Sequence, residues 1–177
     1  MRSGLAALAV LGFCLWAVPA LAKTPSVSCD AFMDKLRAAA SDLGVDFSHA
    51  LVVSRARNDT DVFDISTKAD VTGTLTCRSG GLVRFEATTS EPVPARQGAD
   101  FANFQAAALR SALGWDAEKS RGEVRDMGAD AREYLKASRE RGDIFVSGKT
   151  EEHAPGGISL GLFVTDTDRA FIIVSGD

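Results

Sequence analysis

The stretch Glu151-Glu152-His153-Ala154-Pro155-Gly156-Gly157 is the densest place in this chain for acid–base or metal chemistry. If a strand runs through it, its alternation puts Glu151 and His153 on one side, and divalent metals are held by convergent sets of His, Cys, Asp and Glu. Two such groups before a Pro-Gly turn fall short of a ligand set, so the expectation is an exposed polar hairpin end without metal. His49, the other histidine, precedes the apolar run Ala50-Leu51-Val52-Val53 and is expected at a strand edge with a local hydrogen bond. Trp115 follows Gly114 at the end of an expected helix. A tryptophan there is either a platform for a ligand or, as expected here, the packing that closes the helix. His49, Trp115, Glu151 and His153 are therefore the candidate functional residues, with no catalytic role assigned to any of them.

Other chemistries leave weaker traces. Asn58, Thr60 and Asp61 resemble the start of a calcium loop, but the turn glycine and the late glutamate are missing, so a polar turn is expected. Asn58-x-Thr60 is also a glycan acceptor pattern, but the short Ala-rich leader points to a bacterial route in which no sugar is expected. The chain carries no H-E-x-x-H or P-loop motif. Gly73 to Gly81 reads as a hairpin and does not open a helix, as a dinucleotide fingerprint must. No cofactor is expected.

The N-terminus and the cysteine count together point to an oxidising compartment. Arg2, the apolar run Leu5 to Val18, Pro19 and the small residues of Ala20-Leu21-Ala22 form a secretory leader (residues 1–22) with cleavage expected before Lys23. Cys14 follows the bulky Phe13 and Cys29 follows polar Ser28, so neither suits acylation. Without the leader only Cys29 and Cys77 remain, and an even pair in an oxidising compartment predicts a disulfide. A catalytic thiol is disfavoured because no C-x-x-C occurs. Removing 22 of 177 residues leaves 155, enough for one domain over 23–177. Arg2 is the only charged residue of the leader, so 19 basic face 24 acidic residues, a net of −5. That balance argues against a nucleic-acid or anionic-membrane partner.

Three helical segments and two groups of strands must carry these residues. Phe32, Met33, Leu36, Ala40 and Leu43 recur at helical spacing, with Ser28 or Asp30 as N-cap and Gly44 as terminator. A meander of three or four strands follows. In it Val71, Leu75 and Cys77 alternate with polar residues, and Val83, Phe85 and Ala87 do the same after a Gly80-Gly81 turn. Cys77 on the inward face would pin the first helix to the sheet. Pro92 and Pro94 mark the passage to a second helix with Phe101, Phe104, Ala108 and Ala112 on one stripe. The mixed-charge stretch beyond Trp115 is helical, with Gly122 and Gly128 as possible breaks and a solvated face. Two or three strands close the chain. The order implies an α+β two-layer sandwich, an antiparallel sheet of about five to six strands with helices on one face.

The functional expectation is an exported, periplasmic or secreted binding or accessory module without stable membrane insertion. Its partner, a protein or small molecule of the envelope, would meet one sheet face or a strand edge. A hydrolase with a dispersed site and a structural component of an envelope complex are the alternatives.

Overall fold

The computed structural model describes residues 27–47, 52–57, 59–69, 71–90, 94–143 and 147–175. The leader (1–22), its cleavage site, His49 and Asn58 lie outside the described residues. Helix α1 spans Cys29–Asp42 and is followed by strands β1 (Val52–Arg57), β2 (Thr60–Ser66), β3 (Thr72–Arg78) and β4 (Gly81–Ser90). Helices α2 (Ala95–Leu113) and α3 (Ala117–Arg141) come next, then β5 (Ser147–Ala154), β6 (Ile158–Thr165) and β7 (Asp168–Ser175). The seven strands form one antiparallel sheet in the order β1-β2-β3-β4-β7-β6-β5. Two sequential meanders are thus joined at β4–β7, where Phe85 faces Ile173 and Ala87 faces Phe171. This is the expected α+β sandwich.

Local chemistry accounts for each boundary. Ser28 caps α1 by accepting from the Ala31 N–H, which satisfies one orphan donor of the first turn. Asp116 caps α3 in the same way through the Lys119 N–H at 2.8 Å. Helix α2 ends on Gly114 at φ 68° and α3 on Gly142 at φ 72°, left-handed positions that glycine occupies without strain. Ser79 and Gly80, both with positive φ, make the two-residue β3–β4 turn whose twist suits a hairpin.

The core lies between the helices and one face of the sheet. Phe32 of α1, Phe85 of β4 and Phe104 of α2 are fully buried, with ring centroids 5.5 Å apart in each successive pair. Phe104 also packs on Gly73, where a Cβ would lie 3.1 Å from its ring. Ala106, Ala107 and Ala108 are fully buried because α2 runs between α1 and α3 as well as over the sheet. The Cys29 and Cys77 sulfurs lie 1.97 Å apart, at disulfide distance, with Cα atoms 6.1 Å apart. Cys77 sits on the inward face of β3, so the pair connects the start of α1 to the sheet.

Two local expectations are corrected. Helix α3 is continuous through Gly122 and Gly128, because Ser120, Val124, Met127, Ala131 and Leu135 give it a buried stripe that outweighs about 1 kcal/mol per glycine. In β4 the register shifts opposite Thr76 and Cys77, so Leu82 faces the core and Val83 is the extra residue of a bulge. Among the described residues no helix is long and apolar enough to cross a membrane.

Candidate functional site

The sheet face opposite the helices carries no covering element among the described residues, and its side chains follow from strand alternation. Cross-strand register lines them up in three rows over β5, β6, β7 and β4. His153, Ser159, Val174 and Arg84 form the first. Glu151, Gly161, Ile172 and Glu86 form the second, and Lys149, Phe163, Ala170 and Thr88 the third. Gly161 contributes no side chain to the centre of this array. The missing volume helps to make a shallow concavity of about 220 Å³, floored by Ile172, Val174 and Phe163 and edged by Arg84, Glu151, His153 and Ser159.

Its charges are paired within the face. Arg84 donates to Glu86 Oε2 at 2.8 Å, and Lys149 Nζ lies 2.6 Å from Glu151 Oε1 and 5.2 Å over the Phe163 ring. What remains between the two ion pairs is apolar, apart from a hydrogen bond of 3.1 Å between His153 Nδ1 and Ser159 Oγ. An imidazole at this distance from a hydroxyl is within reach for base-assisted nucleophilic attack. Among the described residues no third group orients the imidazole as in a triad, since Glu151 is engaged by Lys149.

Of the four candidate residues, the fold brings Glu151 and His153 together on one exposed side of β5, as strand alternation implies. Trp115 belongs to the other layer: it is half-buried at the α2–α3 junction, packed against the core, with Lys119 Nζ 4.0 Å over its ring. Among the described residues no three His, Cys, Asp or Glu side chains gather closely enough to hold a metal ion. Ser159, Arg84, Phe163 and Ile172 were not singled out from sequence. They come from three strands: the β5–β6 hairpin sets Ser159 opposite His153, and the β4–β7–β6 order brings Arg84 and Ile172 alongside. The signal that could have found Ser159 is Gly157-Ile158-Ser159-Leu160-Gly161, a G-x-S-x-G match that lies on a turn and a strand rather than on the strand-to-helix elbow of that motif.

Comparison with protein-family models, with curated proteins and with solved structures finds no match to this chain.

Proposed function

We propose that this protein is an exported binding module that captures a protein partner on the uncovered face of its sheet. The observation that carries the reading is the apolar trough of Ile172, Val174 and Phe163 between two internally neutralised ion pairs. Charges that already satisfy one another leave little reason for an ionic ligand to bind there. An apolar side chain of a partner, by contrast, gains burial in the notch over Gly161 while the ion pairs form a polar rim. The expected leader and the cysteine pair at disulfide distance support capture in the cell envelope or outside the cell. Replacing Ile172→Lys puts a charge into the trough at a half-buried surface position. The expected result is loss of partner capture from an envelope extract, with the circular-dichroism melt unchanged. Undiminished capture by the folded variant would overturn the proposal.

The His153–Ser159 hydrogen bond favours a second reading, the hydrolase. A Ser159→Ala variant separates the two, because it removes the nucleophile and leaves the apolar floor intact. Under the binding proposal the wild type shows no esterase activity that depends on Ser159, and the variant still captures its partner.

A further inference from the structure

On the other side of the sheet, α2, α3 and strands β6 and β7 border an open cavity of about 380 Å³, within the range of small-molecule sites. Phe101 and Ala102 of α2, Val124 of α3, and Leu162 and Val164 of β6 give it apolar walls. Its remaining lining is unusual for a chain of net charge −4: Arg121, Arg125, Arg132 and Arg169 border the space, and no Asp or Glu does. Arg121, Arg125 and Arg132 share one stripe of α3 with Gly128, at spacings of four, three and four residues. Arg169 comes from the helix-facing side of β7, opposite Val164. Arg125 meets Asp126 through an exposed contact of 3.3 Å, outside the lining.

Like charges four residues apart repel each other, so a helix stripe of arginines beside an apolar cavity is stabilised by an anion between them. Gln105, only 3 % exposed, adds a polar amide to the same lining. Gly128 provides the room: a Cβ there would lie 3.4 Å from Arg132 Nη1, on the side where the guanidinium packs.

We infer that this cavity binds an amphipathic organic anion, its carboxylate or phosphate head held by the arginines of α3, and its aliphatic body lying along Phe101, Leu162 and Val164. Guanidinium forks match both oxyanions, and the apolar walls select against a bare inorganic ion. This site is separate from the open sheet face and does not depend on it.

Isothermal titration of the purified protein with decanoate, decyl phosphate, decylammonium and inorganic phosphate tests the inference. Decanoate or decyl phosphate, or both, should bind at one site, and decylammonium and inorganic phosphate should not. Arg121→Gln and Arg132→Gln should each weaken that binding at least about tenfold, as expected when a charged hydrogen bond is lost, with unchanged melting temperature. Gly128→Ala provides a contrasting variant. It should raise the melting temperature through helix propensity, yet weaken binding by narrowing the cavity under Arg132. A merely structural arginine stripe would show no such opposition. Failure of both anions to bind at millimolar concentration, equal binding of decylammonium, or binding unaffected by the arginine variants would overturn the inference.

Discussion

Ser120, Ser138 and Ser111 are three buried helical serines whose hydroxyls meet different fates. The Ser111 hydroxyl donates to the Ala107 carbonyl at 2.7 Å, and the Ser138 hydroxyl donates to Asp143 Oδ2 at 2.8 Å beyond the end of α3. Ser120 Oγ is fully enclosed and has no partner among the described residues. A buried hydroxyl without a hydrogen bond keeps its desolvation penalty, and alanine is the better helix former. Ser120→Ala should therefore stabilise the protein by about 1 kcal/mol, whereas Ser138→Ala, which orphans its partners, should destabilise it by about 1 to 2 kcal/mol. Urea titration of both variants checks the opposite signs; a destabilised Ser120→Ala would mean that its hydroxyl has a bonding role in the folded chain.

Helix α3 and edge strand β5 make the closest approach between the two layers. At Gly148 a Cβ would stand 1.8 Å from the Ala131 carbonyl oxygen, so only glycine lets the helix lie on the strand. Gly148→Ala forces the backbones apart and should cost about 3 kcal/mol or more, read as a lowered urea midpoint. Along the same contact, Glu123 of α3 is pushed up from its ordinary value of 4.5 to about 7. The largest cause is its hydrogen bond with Glu152 of β5, followed by burial and by repulsion from Glu152 and Asp126, with Lys119 opposing. The raised value sets the sign of the linkage. Between 4.5 and about 7 the folded chain keeps a proton that the unfolded chain has released, so stability falls as pH rises through that window. Glu152→Gln removes the charge and offers an amide N–H that can donate to the ionised Glu123 carboxylate, so the protonated form loses its advantage. Urea midpoints of this variant should lose most of that slope, and an unchanged slope would locate the pH dependence elsewhere. How much of these elements was legible varied with the kind of information needed. The α1 stripe was readable because Phe32, Met33, Leu36, Ala40 and Leu43 obey one period, and all five are buried. The alternation through Val83 failed because a bulge changes register without changing composition. The continuity of α3 was hidden because the glycine penalty is local, whereas the packing that exceeds it comes from the sheet. At the open face, strand alternation alone sufficed for Glu151 and His153. The meeting of His153 with Arg84 and Ile172 was not legible, since it depends on strand order rather than on any spacing along the chain, whereas Ser159 lies opposite His153 across a hairpin only six residues on.

At the scale of the whole molecule, the sheet is one surface made by two distant parts of the chain. Phe85 and Ile173 are cross-strand neighbours although α2 and α3 intervene between them in sequence, so the central pairing closes only after a long loop is ordered. The Cys29–Cys77 link acts on the other side of this balance, tying the first helix to β3 across a sequence separation of 48. In the chain-entropy account, a cross-link spanning a loop of this size removes freedom mainly from the unfolded chain. Its loss in Cys77→Ser should cost about 2 to 4 kcal/mol. The helix layer does not depend on it alone, because Phe32 remains stacked against Phe85 and α1 remains packed on α2. The variant should accordingly still fold, and should unfold in one transition at a lower denaturant midpoint with the same slope. Far-ultraviolet dichroism and Trp115 fluorescence should report that transition together, since the helices, the α2–α3 junction and both meanders share one core. Separate midpoints for the two probes would show that the link, rather than the shared core, makes the layers unfold as a unit.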